Sequence, residues 1–344
     1  MLARPRRSAV SSHLTREIDA LSLPLLEIHD LRVTLQTAQG PADALRGVSF
    51  TLERGATLGL IGESGCGKSM TALALMSLLP EGAKVAGSIR FDGRDLTTLD
   101  EDAMCALRGD RIAMVFQEPM TALNPLHTVG HQIAEPLRLH REMDAAAARA
   151  EALRLMERVQ LPNAKRRLDA YPHQLSGGQR QRIVIAIALA CGPDLLIADE
   201  PTTALDTTVQ REVLDLLDEL RRDSGMALLL ISHNLDVMAA RVARLAVMYG
   251  GSIVESGPTQ QVFERRAHPY TRGLFAARPR LGTDRRVPLA TIAGRVPALH
   301  EMPPGCAFAD RCGLVVAECR AALPAAEVLS AGHEVRCIRW DTLT

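Results

Sequence analysis

The stretch Gly62-Glu63-Ser64-Gly65-Cys66-Gly67-Lys68-Ser69 fits the pattern G-x-x-x-x-G-K-[ST]. It follows the apolar run Thr57-Leu58-Gly59-Leu60-Ile61, a buried strand by composition, and it opens a helix-like run from Met70 to Leu79. Strand, glycine loop and helix in that order are the context in which this pattern binds phosphate. Outside that context it is only a glycine turn ending in Lys-Ser. Glycines let the backbone wind closely so that successive N–H groups converge on an anion, and the helix start adds the positive end of its dipole. The working premise is a nucleoside triphosphate held by Gly62, Glu63, Ser64, Gly65, Cys66, Gly67, Lys68, Ser69 and Met70. Lys68 then reaches the β- and γ-phosphates, and Ser69 holds Mg²⁺.

The 344 residues suffice for a large core and a second, smaller unit. Lys+Arg 40 balance Asp+Glu 40, so no overall basic field argues for a nucleic-acid partner. Only Lys68, Lys84 and Lys165 are lysines, which reads as the codon bias of a GC-rich genome and makes Lys68 stand out. No apolar run reaches membrane-spanning length; Ile183 to Cys191 and Met226 to Ile231 are core-sized. Residues 1–24 carry Arg4, Arg6 and Arg7 but no continuous hydrophobic segment, and read as a variable tail, a poor secretion signal.

Along the chain, Leu25 to Leu35 and Ala44 to Leu52 alternate like strands with one buried face, separated by a Gly40-Pro41 turn. Ser88 to Gly93 is strand and turn, and Ile112 to Phe116 is a short strand ending in Gln117. Glu118 to Pro125 reads as a loop because of its prolines, and Val129 to Leu161 turns helical. Leu175-Ser176-Gly177-Gly178-Gln179 precedes a helix expected near Gln179, running from Arg180 to Ala190. Its start, with a hydroxyl and exposed N–H groups, suits a second anion. The apolar strand Leu195 to Ala198 delivers Asp199-Glu200, Thr207 to Arg222 is an amphipathic helix, and His233 lies just past the strand Met226 to Ile231. This order fits an α/β fold with functional side chains at the carboxyl ends of parallel strands.

With the phosphate loop, Gln117, Leu-Ser-Gly-Gly-Gln, Asp199-Glu200 and His233 in sequence, residues 25–265 resemble the nucleotide-binding subunit of an ATP-binding-cassette (ABC) transporter. The helical subdomain insert would span about 118–180. Gln117 to Pro125, His268-Pro269-Tyr270-Thr271 and a cysteine-bearing region at 266–344 narrow the resemblance to dipeptide/oligopeptide importer ATPases, a branch that includes nickel importers. The resemblance implies ATP hydrolysis with Glu200 as general base, His233 on the γ-phosphate and Gln117 near Mg²⁺ or the water. It implies Asp199 and Ser69 as Mg²⁺ ligands. It further implies a head-to-tail pair in which Ser176, Gly177, Gly178, Gln179 and Asp206 close over the partner's nucleotide. The partner is a related or identical ATPase subunit. Membrane-spanning permease subunits and, indirectly, a solute-binding protein are the other partners, with the chain on the cytoplasmic face of the membrane.

Two departures stand out. The family stacks an aromatic ring on adenine, whereas the matching position here is Leu35. Cys66, near a helix start, is expected to have a lowered pKa and to block nucleotide binding when alkylated. Cys306, Cys312, Cys319 and Cys337 stand as C-x5-C-x6-C-x17-C and suit a [4Fe-4S] cluster, which the resemblance implies because some related importer ATPases have one in this region, or structural zinc, or plain thiols. The alternatives to a transport ATPase are a soluble ABC ATPase of DNA repair or translation and a metal-binding regulatory module with a decayed cassette. The first lacks a visible coiled coil or basic surface, and the second is disfavoured because Lys68, Asp199, Glu200 and His233 are intact.

Overall fold

The computed structural model describes residues 23–117, 119–203, 205–278 and 291–343. Most of the 1–24 tail, together with Glu118 and Ala204, lies outside them.

Two sheets carry the described chain. The first, in the order β2-β1-β4-β5, is antiparallel and contains β1 (Leu26–Thr37), β2 (Gly40–Leu52), β4 (Lys84–Phe91) and β5 (Arg94–Asp95). The second begins with β11 (Glu327–Ser330), β12 (His333–Val335) and β10 (Ser252–Pro258) and continues β9-β3-β8-β7-β6. Its parallel part is β9 (Arg244–Tyr249), β3 (Thr57–Ile61), β8 (Ala227–Ile231), β7 (Leu195–Asp199) and β6 (Ile112–Val115). Every residue of β3, β7 and β8 is buried, as continuous apolar strands in a covered parallel sheet must be. One core lies between the two sheets and around the helix Lys68–Leu75; the other lies on the opposite face, under the helices Val129–His140, Ala145–Arg158, Gly177–Ala188 and Thr207–Ser224.

The mixed α/β architecture is the one expected, with local differences. The first hairpin turns at Ala38-Gln39, not at Gly40-Pro41, which pair with Thr37 and Gln36. Pro41 is tolerated because β2 is an edge strand. Pro119–Ala122 is a short helix where a loop was expected, since proline fits a first helical turn. The buried Gln132 then closes the following segment, accepting from Asn124 N–H and donating to the Asn124 and His127 carbonyls. The helix after the phosphate loop stops at Leu75, short of Leu79, and Ser77 turns left-handed at φ 51°.

Among the described residues the C-terminal region has a small cluster of its own, Ala267, Val335 and Cys337, and is otherwise tied into the cassette. Its strand β12 (His333–Val335) pairs with β10 (Ser252–Pro258), β11 (Glu327–Ser330) extends that edge, and Ala307 and Phe308 join the helical-face core. The anchor is Glu255, whose carboxylate is fully buried and accepts from the N–H groups of Ala267 (2.8 Å) and His268 (2.9 Å). The His333 ring stands 2.9 Å from Oε1. His268, buried and pushed down to about 4 by desolvation, accepts the Tyr270 N–H on Nδ1 and caps the helix Pro269–Ala276.

Burial alone would raise the Glu255 pKa, but the His333 and backbone bonds outweigh it and hold it below the ordinary range. A depressed carboxyl contributes stability above its unfolded pKa and loses it as pH falls through the native value. Glu255→Ala should therefore lower stability by about 3–5 kcal/mol near neutral pH. The gap from wild type should narrow in acid, as measured by denaturant unfolding across pH.

Candidate functional site

Strand register brings the chemistry to one edge. Leu60 and Asp199 both lie opposite Ile231, and Val115 lies opposite Ala198. The residues just past these strands, namely Gly62, Gln117, Glu200 and His233, therefore emerge together at the carboxyl edge, where parallel α/β sheets leave a crevice.

The phosphate loop is sterically committed. Gly62 has φ +156° and a Cβ there would lie 2.2 Å from the Met248 carbonyl; Gly67, at φ +107°, starts the helix with no side-chain cap. The buried Lys68 donates through Nζ to the carbonyls of Gly62 (2.8 Å) and Glu63 (3.1 Å). Leu35, Ala44, Ser64, Gly65, Gly67, Lys68, Ser69, Met70, Gln117, Glu200 and Leu299 line one cleft.

Asp199 is 4% exposed and its Oδ1 is buried without a hydrogen-bond partner. Burial pushes its carboxyl up, with the neighbouring Ser69 hydroxyl and the Lys68 charge opposing. A buried carboxylate with an orphaned oxygen beside a serine hydroxyl is a donor set that fits a hard divalent cation such as Mg²⁺. Glu200 sits in the left-handed region at φ 46°, uncommon for a non-glycine residue, with its N–H held by the Ile231 carbonyl at 2.9 Å. Its Oε2 accepts from Thr203 Oγ1 (2.7 Å) and lies 3.2 Å from His233 Nδ1 and 3.5 Å from Gln117 Nε2. Burial would raise the Glu200 pKa, but the Thr203 and His233 bonds and the Lys68 charge hold it below the ordinary range. The carboxylate is thus ionised and oriented at neutral pH.

The Ser176–Gln179 stretch is not part of this cleft. The helix there begins at Gly177, two residues before the expected start, because Ser176 and Gln179 form a capping box: Ser176 Oγ accepts from Gln179 N–H and Gln179 Oε1 from Ser176 N–H. The S-x-x-Q pattern carried that signal. Asp206 caps the helix Thr207–Ser224 through the N–H groups of Thr208 and Val209. A Cβ on Gly178 would meet Val209 at 2.5 Å, so the two helix starts lie side by side.

Sequence reasoning missed Thr203, Ala44, Leu299, Tyr270 and Arg311. Only Tyr270 had a signal, the His268-Pro269-Tyr270-Thr271 motif: its hydroxyl accepts the Glu63 N–H at 2.8 Å. Cys306, Cys312, Cys319 and Cys337 line one enclosed pocket with His268 and Phe308, and all are free thiols. As placed, no group of three or more His, Cys, Asp or Glu among the described residues is arranged to hold a metal ion.

Fold and cleft define a phosphate-loop nucleotide cassette. The model of the ABC transporter family matches residues 45–203, and that of the oligopeptide/dipeptide transporter C-terminal region matches 254–319. A Brucella melitensis protein named for peptide import and ATP binding is 48% identical over 93% of this chain and 98% of its own. The oligopeptide transport ATP-binding protein OppD of Mycobacterium tuberculosis is 46% identical over 93% of this chain and 53% of its own length. The dimeric ATP-binding cassette MJ0796, solved with ADP and Pi, superposes with a TM-score of 0.62 at 28% identity, covering 68% of this chain and 98% of that one. The chain belongs to the ABC transporter ATP-binding proteins, in their oligopeptide/dipeptide branch, and is an ABC-type ATPase. No helix among the described residues is long and apolar enough to cross a membrane.

The expectation of a reactive Cys66 is corrected. The thiol is fully buried; desolvation pushes its pKa up and the Lys68 ammonium, 3.7 Å away, only partly offsets this. In native protein, iodoacetamide should label the exposed Cys105 and spare Cys66 with or without ATP. Peptide mass spectrometry reads the outcome, and rapid modification of Cys66 would contradict the burial argument.

Proposed function

We propose that this chain hydrolyses ATP to ADP and phosphate at the cytoplasmic face of the membrane and thereby energises import of di- or oligopeptides through separate permease subunits. The observation that carries this reading is the single carboxyl edge that gathers the phosphate loop, Gln117, Asp199, Glu200 and His233. The relatives' names support the peptide solute. In this reading residues 1–24 are a variable tail, 25–265 the ATPase domain with its helical subdomain at about 118–180, and 266–344 the transporter-type C-terminal region.

Residues 62–70 cradle the phosphates with backbone N–H groups, and Lys68 turns from the loop carbonyls to the β/γ oxygens. Ser69, Asp199 and Gln117 would hold Mg²⁺, which neutralises phosphate charge. Glu200, kept ionised and fixed by Thr203 and its left-handed backbone, orients and deprotonates the attacking water. His233 bridges Glu200 and the γ-phosphate. The signature Ser176–Gln179 and Asp206 stand apart from their own cleft, which fits a head-to-tail pair closing over each other's nucleotide; the dimeric state of MJ0796 supports that arrangement. Leu126 and Leu139, 81% and 72% exposed on the helical insert, suit contact with a permease. A solute-binding protein would act only through the permease.

The four cysteines converge on one pocket, which His268 and Arg339 also line, and four thiols are a donor set of the right kind for a [4Fe-4S] cluster or zinc. Binding either requires the thiols to move together and to ionise, since burial raises the pKa of Cys306, Cys312 and Cys337. We favour the cluster because the pattern lacks the close C-x2-C pairs of zinc ribbons.

Glu200→Gln, co-expressed with the neighbouring membrane subunits, should keep ATP binding and lose at least ~100-fold in hydrolysis. Full activity in that variant would remove Glu200 as the base. Peptide-stimulated ATPase activity in the assembled wild type tests the transport role, and stimulation by nucleic acid instead would favour the repair or translation reading. Anaerobically purified protein should carry about four irons and four sulfides per chain with a broad visible absorption. Stoichiometric zinc, or no metal, would displace the cluster.

A further inference from the structure

We propose that the C-terminal segment 292–311 is part of the nucleotide site: Arg311 is a positioning residue that sets the phosphate loop through Glu63, and Leu299 forms a wall for the purine. This rests on the ATP-site reading above and extends it to a region outside the ABC cassette.

Glu63, the second residue of the phosphate loop, is held at every polar group. Its N–H donates to Tyr270 Oη at 2.8 Å, and its carbonyl accepts from Lys68 Nζ at 3.1 Å and from Cys66 N–H at 3.3 Å. Its carboxylate meets Arg311 in a fork, Nη1 to Oε2 at 2.6 Å and Nη2 to Oε1 at 3.1 Å. The Arg311 side chain is 6% exposed and its other donors are occupied: Nη1 to Tyr249 Oη (3.1 Å), Nη2 to the Ile292 carbonyl (3.0 Å) and Nε to the Ala293 carbonyl (2.8 Å). Phe308 packs edge-on against Tyr249, which packs in turn on Tyr270, so the guanidinium has a rigid backing. A planar, fully engaged fork transmits position where a mobile surface pair would not.

The same segment reaches the far end of the cleft. Leu299 lines it together with Leu35 and Ala44, and its turn is tied to β2 by Arg46 Nη2, which donates to the Pro303 carbonyl at 2.7 Å. Among the described residues no aromatic side chain lines the cleft, so the apolar face it offers to a base is aliphatic and is completed from the C-terminal segment by Leu299. Burying a purine face against leucine needs no ring stacking, only area removed from water.

The test uses the full-length protein and two probes, the non-hydrolysable ATP analogue AMP-PNP and inorganic tripolyphosphate, each with Mg²⁺, titrated by calorimetry. Wild-type binding of both probes checks the nucleotide-site reading first, and its absence overturns that reading and this one together. Leu299→Ser, a surface change, should weaken AMP-PNP about five-fold and leave tripolyphosphate unaltered. Arg311→Ala should weaken both probes by the same factor, about ten-fold, with Arg311→Lys recovering part of it. The double variant Glu63→Ala/Arg311→Ala should bind no more weakly than either single variant. Unchanged affinities in Leu299→Ser and Arg311→Ala, or factors that multiply in the double variant, would overturn the proposal. If Arg311→Ala does not fold, Arg311→Lys and Leu299→Ser carry the same comparison.

Discussion

The structure depends on three five-residue strands, β3, β7 and β8, buried along their whole length at the centre of a parallel sheet. An interior strand satisfies its backbone by pairing with neighbours and leaves no room for a polar side chain along its length. Polar chemistry is therefore confined to strand ends. Because the registers of β3, β7 and β8 meet around Ile231, those ends coincide, and four segments far apart in sequence contribute to one crevice.

Three buried or part-buried carboxylates near that framework have separate tasks set by their surroundings. Glu255 is surrounded by donors and is structural; it welds the C-terminal strands to β10. Asp199 retains an oxygen without a partner, a cost a fold tolerates where a cation is to be bound. Glu200 lies between these extremes, ionised through Thr203 and His233 yet held on a strained backbone facing the cleft. Acidity alone would not separate these roles, whereas the count and direction of donors does.

The region beyond the cassette is built into the same core. Phe308 packs edge-on against Tyr249 and tilted against Tyr270, Arg311 spans from the tail to the phosphate loop, and the four cysteines line a pocket with Phe308. Events at the cysteine pocket and at the phosphate loop therefore share a mechanical frame only a few side chains thick.

The sequence by itself determined whatever is encoded contiguously. The phosphate loop, the apolar strands and the Asp199-Glu200 pair are local patterns, because loop winding and strand burial act over a few residues; the Ser176–Gln179 capping box is local as well, yet it sets the helix start two residues before the one expected. Tertiary structure alone decided what depends on long-range approach. Arg311 was one arginine among many until the fold set it on Glu63, and Leu299 joined the cleft across more than 260 residues from Leu35. The Cys66 thiol read as activated from its neighbours, but desolvation, a property of the packed interior, outweighs the adjacent lysine. Burial and side-chain direction arise only when distant segments meet, and for that reason they were not legible in the chain.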